Sequence, residues 1–144
     1  MRFEELQMLK ISIPDNIFEL MLRQAKAQAP IEACGILAGR DNQVEKLYEM
    51  TNADKSSDHF MMDPEEQFKV VKDIRAAGLE MLAIYHSHPE TPARLSGEDI
   101  RLALTPGVIY IIVSLQNQKP SVKGYIIEDD KITEVSVKIE AVQK

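Results

Sequence analysis

The sequence predicts an α+β fold with a mixed sheet of about six or seven strands, two main helices and one shorter helix. Three observations predict this class. Strand-like apolar runs alternate with two amphipathic helical segments through the first two thirds of the chain. Three further strand-like runs follow in succession, which indicates an antiparallel meander. No Pro/Gly/Ser-rich linker interrupts the 144 residues, so we expect one domain over residues 1–144.

Each element is predicted by its periodicity and by the residues at its ends. Short apolar or alternating runs between turn residues indicate strands, and apolar residues at the 3.6-residue period indicate helices. Proline opens both main helices, and Pro30 and Gly78 end them. The predicted strands are 11–13, 33–38, 44–50, 81–88, 108–115, 122–128 and 132–139. The predicted helices are 14–29, 64–77 and 96–105.

Loops connect these elements. The polar segment 52–63 is predicted as a loop with a short strand at 59–62, and the proline-containing segment 89–95 as a second loop. Asp129 and Asp130 indicate a hairpin turn, and Met61 with Met62 is interpreted as ordinary packing. The predicted core positions of the first helix are Ile17, Leu20, Met21, Ala25 and Ala29.

Composition narrows the possible functions. The chain carries 17 Lys and Arg against 23 Asp and Glu, a formal net charge of −6. An acidic chain lacks the electrostatic footprint of nucleic-acid binding and suits an anionic membrane surface poorly. The longest mostly apolar run, 108–115, is far below the roughly 18 residues of a membrane span. We therefore expect no nucleic-acid partner and no membrane insertion, and the oligomeric state stays open.

Cys34 is the only cysteine, which excludes an internal disulfide and a zinc site built from several thiolates of this chain. It lies on a predicted buried strand, so we expect a packed thiol rather than a nucleophile. Segment 1–6 shows no apolar signal-peptide pattern. These features predict a cytoplasmic protein, and a secreted protein without disulfides is the alternative.

His86 and His88 end the predicted strand 81–88. Residues i and i+2 of a strand point to the same face, so both imidazoles can clamp a metal ion. The third ligand should offer oxygen or nitrogen, and Asp99, in the first turn of the next helix, is the nearest good candidate. Two histidines and an aspartate leave a fourth tetrahedral position for water, which is the pattern of catalytic zinc sites.

A zinc-bound water needs a base, usually a carboxylate outside the ligand set. Glu32, before the buried strand 33–38, is the candidate, although sequence arithmetic alone does not select it. Taken singly, these residues have ordinary explanations. The histidines could be half-buried polar side chains, Ser96 and Asp99 a helix cap, and Glu32 a solvated residue. Their combination at fixed spacing favours a metal site.

The candidate residues are Glu32, His86, His88, Ser96 and Asp99. In the sequence they follow the pattern Glu…His-x-His-x7-Ser-x2-Asp. This order resembles the JAMM motif of the MPN-domain metalloproteases. Segments 32–39, 60–64 and 85–89 are also similar to that family, and the resemblance covers most of the chain, roughly residues 14–115. It implies a JAMM/MPN-like fold with a mixed sheet similar to that of cytidine deaminases.

The resemblance also implies a role for each position. His86, His88 and Asp99 would bind one zinc ion per chain. Glu32 would take a proton from the zinc water and pass it to the leaving amine. Ser96 would donate a hydrogen bond to the oxyanion of the tetrahedral intermediate. None of these positions departs from the family pattern, which implies an active enzyme.

The compact chain resembles the stand-alone prokaryotic members of the family, which are linked to small sulfur-carrier proteins of ubiquitin-like fold. The resemblance implies a zinc metallopeptidase that hydrolyses a peptide or isopeptide bond after the C-terminal Gly-Gly of such a ubiquitin-like or sulfur-carrier partner. An extended tail could lie along a sheet edge beside the metal by strand addition.

Other interpretations remain. One is a non-catalytic interaction module of the same fold, and another is a zinc hydrolase of a small peptide or amino-acid conjugate. A deaminase is disfavoured, because the His-x-Glu and paired-cysteine motifs are absent. Zinc is inferred from ligand type, and iron, cobalt or manganese also occupy such sites. His59 has no ligand-like spacing and is interpreted as a loop residue.

Overall fold

The computed structural model describes residues 9–129 and 131–142. Two sequence predictions lie outside the described residues: the absence of a signal-peptide pattern in 1–6, and Asp130 of the hairpin turn. Among the described residues, no helix has the length and apolar character needed to span a bilayer. The elements of this part of the chain are, in order, β1 Lys10–Pro14, α1 Asp15–Gln28, β2 Cys34–Arg40, β3 Gln43–Met50, α2 Pro64–Ala76, β4 Glu80–His88, α3 Gly97–Arg101, β5 Ile109–Ser114, β6 Ser121–Glu128 and β7 Lys131–Glu140.

These strands form one closed sheet in the order β1-β3-β2-β4-β5-β6-β7. β1 closes the sheet by pairing in parallel with β7 over five residue pairs and with β3 where Ser12 meets Gln43. β4 lies between β2, to which it is antiparallel, and β5, to which it is parallel. Strands β5 to β7 form the predicted antiparallel meander. The predicted α+β class is confirmed. The closure of the sheet was not part of the prediction.

The two faces of the sheet pack against different helices. One apolar cluster includes Met21 of α1, and the other includes Val70 of α2. From Ala83 onward, successive residues of β4 alternate between these clusters, with Tyr85 on the α1 face and Ile84 on the α2 face. The same alternation places His86 and His88 on the α2 face, and it places the residue between them on the α1 face.

α1 differs from its predicted core face at three positions. Leu20 is 40% exposed, and Ala29 is exposed because the helix ends just before it, whereas Gln24 is buried. Gln24 donates a hydrogen bond to the carbonyl of Cys34 at 2.9 Å and accepts one from the hydroxyl of Tyr85. Because both ends of the amide are paired, its burial leaves no polar atom unsatisfied. Hydrophobic periodicity counts apolar side chains only, so it could not predict a buried amide.

α3 is shorter than predicted, since it ends at Arg101 rather than near residue 105. Leu104 is 80% exposed, so a longer helix would have little apolar face to bury. The hydroxyl of Tyr110 instead accepts the N–H of Thr105 at 2.9 Å. This contact holds the segment as a loop that returns the chain to β5.

Segment 52–63 is a loop, as predicted, but the short strand expected at 59–62 is reduced to one bridge between Asn52 and Met62. Met62 is buried, whereas Met61 is 47% exposed, so the prediction of ordinary packing is wrong for one of the two methionines. The side chain of Asn52 holds the loop in shape. Its amide donates to the carbonyl of His59 at 3.0 Å, and its Oδ1 accepts the N–H of Met61 at 3.2 Å.

Candidate metal centre

The three predicted ligands meet at the C-terminal end of β4. Nε2 of His86 lies 2.9 Å from Oδ1 of Asp99, and Nε2 of His88 lies 3.0 Å from Oδ2 of the same carboxylate. The two Nε2 atoms are 3.2 Å apart, and one ligand atom from each of the three residues fits within 4.8 Å of the others. All three side chains are buried. This buried set of two imidazoles and one carboxylate fits a divalent cation.

The start of α3 determines where Asp99 lies. Ser96 is the N-cap, and its Oγ accepts the N–H of Asp99 at 3.1 Å. Oδ2 of Asp99 in turn accepts the N–H of Ser96 at 2.9 Å, which completes a capping box. The cap uses Ser96 Oγ only as an acceptor, so its O–H can donate to another group. The capping interpretation and the metal-site interpretation are therefore compatible.

His88 is oriented by the loop that follows β4. Its Nδ1 lies 2.8 Å from the carbonyl oxygen of Pro92. A carbonyl oxygen can only accept, so this contact assigns the proton to Nδ1. Nε2 is then the nitrogen that faces Asp99 and His86, and once the ring is neutral its lone pair can bind a metal ion. Metal-binding histidines are commonly fixed through such a second hydrogen bond.

His86 is held mainly by packing. The ring of Phe60 stacks on its imidazole, with centroids 4.9 Å apart and planes inclined by 26°. Its Nδ1 is buried and has no hydrogen-bond partner within the described part of the chain. Burial lowers the pKa of His86 although Asp99 opposes the shift. Burial therefore favours the neutral ring, which is the state that binds metal ions.

Asp99 supplies the negative charge of the cluster. Burial by itself would raise the pKa of this carboxyl, but hydrogen bonds with His86 and His88 hold it well below its usual range. Burial works against a charge on His88, yet Asp99 and Pro92 raise the pKa of that ring. Asp99 thus favours the protonated, positively charged form of His88. A divalent cation would supply that charge in place of a proton.

Glu32 lies beside the triad, on the segment that precedes β2. Its Oε2 is 4.0 Å from Nε2 of His88, and its Oε1 is buried without a hydrogen-bond partner among the described residues. Burial, the largest effect, raises the pKa of Glu32 to about 8 against the attraction of His88. The residue is 2% exposed, so the alternative of a solvated boundary residue is wrong. A buried carboxyl of this kind can carry a proton next to the candidate ligands.

Two residues that the sequence did not reveal hold the backbone at Glu32. Oγ of Ser87 accepts the N–H of Ala33 at 2.8 Å, and the N–H of Ser87 donates to the carbonyl of Ala33 at 2.9 Å. The side-chain amide of Asn52 donates to the carbonyl of Glu32 at 3.0 Å. Because side chains alternate along a strand, the sequence could have placed Ser87 on the other face of β4 from His86 and His88. No sequence signal marks Asn52.

Cys34 and His59 lie outside the triad. Cys34 is completely buried, and burial raises the pKa of its thiol to about 12, so it is a packed thiol as expected. His59 lies in the loop after β3, with its ring nitrogens 2.9 Å from the carboxylates of Asp58 and Asp54. Hydrogen bonds to these two carboxylates raise the pKa of His59.

The chain belongs to the Prok-JAB family, described as prokaryotic homologs of the JAB domain, which it matches over residues 14–125. It is 34% identical over 127 residues to the CysO-cysteine peptidase of Mycobacterium tuberculosis, covering 86% of this chain and 87% of that one. It is 34% identical over 129 residues to the desampylase of Pyrococcus furiosus, with 89% of each chain covered. The solution structure of a Desulfitobacterium hafniense protein superposes with a TM-score of 0.85 at 42% identity, over 93% of this chain and 95% of the other.

These similarities confirm the predicted relationship to the stand-alone prokaryotic JAMM proteins and the predicted fold. The chain is a hydrolase of the JAMM peptidase class. The alternative of a non-catalytic interaction module is therefore set aside.

Proposed function

We propose that the chain is a zinc-dependent metallopeptidase that hydrolyses an amide bond after the C-terminal Gly-Gly of a ubiquitin-like or sulfur-carrier protein. The observation that carries the proposal is the buried triad of His86, His88 and Asp99 with the Glu32 carboxyl 4.0 Å from His88. The relatives named CysO-cysteine peptidase and desampylase support a small carrier protein as the substrate.

The donor set supports zinc, one ion per chain, as the metal. Two imidazole nitrogens and one carboxylate oxygen are typical of catalytic zinc sites that keep one position for water or substrate. When bound, zinc would supply Lewis-acid chemistry and lower the pKa of a coordinated water to about 7. Asp99 offsets part of the cation's charge, and burial favours the neutral, metal-binding form of His86.

Glu32 serves as the general acid–base. A general acid–base works best when its pKa lies near the working pH, and burial has already moved the pKa of Glu32 in that direction. A nearby cation lowers this pKa, which favours the carboxylate form that accepts the proton of the attacking water. The carboxyl then passes that proton to the leaving amine.

Ser96 serves as the oxyanion donor. It is exposed at the edge of the buried triad, and its Oγ is fixed by the bond that it accepts from Asp99. The cap leaves the Ser96 O–H free to donate to the carbonyl oxygen of the substrate as negative charge develops there. Removal of one such donor typically lowers kcat by about 10²–10³-fold.

The substrate tail approaches a site whose ligands are all buried. A tail ending in Gly-Gly has no side chains to obstruct this approach, which explains a preference for glycine.

Because the sheet is closed, it offers few free strand edges along which the substrate tail could be added as a further strand. Among the described strands, β3 pairs with β1 only at Gln43, so most of its outer edge is open to a further strand. Its Met50 end lies level with Cys34 and His86 in the sheet register.

The proposed location is the cytoplasm, with neither nucleic acid nor membrane as a partner. The net charge of −6 disfavours binding to nucleic acid and to an anionic membrane, because both are negatively charged. The one cysteine is buried and unpaired, so the chain requires no oxidising compartment.

The test compares wild type with Glu32→Gln and His88→Ala, with His59→Asn as a control histidine outside the triad. We expect about one zinc per chain in wild type, Glu32→Gln and His59→Asn, and none in His88→Ala, by mass spectrometry. The substrate is a ubiquitin-like carrier protein extended after its Gly-Gly. Only wild type and the control should release the extension.

Three outcomes contradict parts of this proposal. Turnover near the wild-type rate in Glu32→Gln removes the role given to Glu32. A wild type that takes up no metal after incubation with zinc removes the metal centre. Cleavage of a small amino-acid conjugate in preference to the carrier protein favours the small-conjugate hydrolase instead.

A further inference from the structure

The loop between β4 and α3 is fixed by side chains from three neighbouring strands. These side chains donate hydrogen bonds to three successive carbonyl oxygens, those of segment 91–93. The donors are His88 of β4, Ser114 of β5 and Tyr125 of β6. Only His88 belongs to the candidate metal centre, so Ser114 and Tyr125 need an explanation of their own.

Both additional donors are buried, and both hydroxyls are used. Ser114 Oγ donates to the loop and accepts the N–H of Gln116 at 3.2 Å. Tyr125 Oη lies 3.0 Å from the carbonyl oxygen of Ala93. The Tyr125 ring also belongs to a small apolar cluster with Ala93, against which Leu95 packs. The loop is therefore anchored by hydrogen bonds and by apolar contacts close to the point where α3 begins.

α3 itself buries little side-chain surface, although Tyr110 of β5 holds the chain after it at Thr105. Asp99 is the buried residue of this short helix, while the neighbouring Ile100 is 43% exposed. The helix therefore has no apolar face of its own in the core. The Asp99 carboxylate is linked through the capping box to Ser96, and Ser96 follows directly on the anchored loop.

We propose that Ser114 and Tyr125 are positioning residues for the metal centre. By fixing segment 91–93, they determine where the capping box places the Asp99 carboxylate and the Ser96 hydroxyl. This inference rests on the proposed metal centre and adds two residues that act on it through the loop.

The test uses Ser114→Ala, Tyr125→Phe and the double variant. Tyr48→Phe is the control, because its hydroxyl bonds to Asp73 on the exposed side of α2 rather than to the loop. The first measurement is tryptic cleavage after Arg94, an exposed loop residue, in metal-free protein. The second is the affinity for Co²⁺ together with the visible absorption of the bound ion.

We expect faster cleavage after Arg94 in the double variant than in the control. We also expect about 10–100-fold weaker Co²⁺ binding with an altered absorption band, which is the range found when residues supporting metal ligands are replaced. Ser114→Thr keeps the hydroxyl, so it should resemble the control in both measurements where Ser114→Ala does not. Should the double variant fail to fold, Tyr125→Phe alone, which removes a single oxygen atom, provides the same comparison.

Cleavage and Co²⁺ binding equal to those of Tyr48→Phe would overturn the inference while leaving the metal centre intact. If the variants lose folding stability but keep the Co²⁺ affinity and absorption of wild type, both residues stabilise the fold without positioning the metal centre. A wild type that binds no Co²⁺ would contradict the proposed metal centre as well, so the two failures are distinguishable.

Discussion

Consecutive residues of β4 perform different tasks because their side chains point to opposite faces. His86 and His88 project towards the candidate metal centre. Ser87, between them, bonds to the backbone of Ala33, the residue next to Glu32. A single strand thus carries two of the three candidate ligands, and the residue between them holds the backbone next to the candidate base. A small displacement of this strand would move all of these groups together.

Ser87→Ala should lower the free energy of unfolding by about 1–3 kcal/mol, because the buried N–H of Ala33 loses its acceptor. Urea unfolding in the presence of a chelator measures the change without a contribution from metal binding. The matched control is Ser121→Ala at an exposed position of β6, which should stay within about 0.5 kcal/mol of wild type. Equal stability of the two variants would show that Ala33 finds another partner.

Among the elements, α2 and α3 show which features of a helix a sequence can reveal. Asp63 caps α2 by accepting the N–H of Glu65 at 2.9 Å, and Pro64 follows it. Such start signals involve residues within a few positions of each other, so both starts could be predicted from sequence. The early end of α3 could not, because it depends on Tyr110 of β5 bonding to Thr105.

Asp63→Ala should destabilise the protein by about 0.5–2 kcal/mol, the usual effect of losing a helix N-cap. Asp63→Ser retains a capping oxygen and should recover most of the difference. Thermal unfolding of the two variants beside wild type measures the effect. If Asp63→Ala unfolds at the same temperature as wild type, the cap contributes nothing and Pro64 alone determines the start of α2.

For the whole molecule, the fold class was predictable because periodicity is a local property of each strand. Closure of the sheet was not, since β1 pairs with strands far along the chain and no pattern specifies its partners. The candidate ligands could be named from the spacing of His86 and His88 and from the motif with Asp99. Asn52 could not, because its role arises only when its loop folds back over the segment before β2.

Metal removal should affect the stability of the entire molecule, because the centre joins β4 and α3. A ligand present at 100 times its Kd stabilises a fold by about 2.7 kcal/mol. For a domain of this size, we expect a chelator to lower the wild-type Tm by about 5–10 °C. His88→Ala should unfold at the same temperature with and without chelator. An equal shift in that variant would place the effect at another site.

The parallel pairing of β1 with β7 has a mechanical consequence. Opposed forces applied at Leu9 and Val142 pull β1 and β7 in opposite directions along their length. The five paired positions from Lys10 and Ser136 to Pro14 and Glu140 then bear the load in shear and must break almost together. Peeling the same strands apart sideways would break them one at a time. The pairing of β1 with β7 therefore resists a force that separates residues 9 and 142 more strongly than it resists sideways peeling.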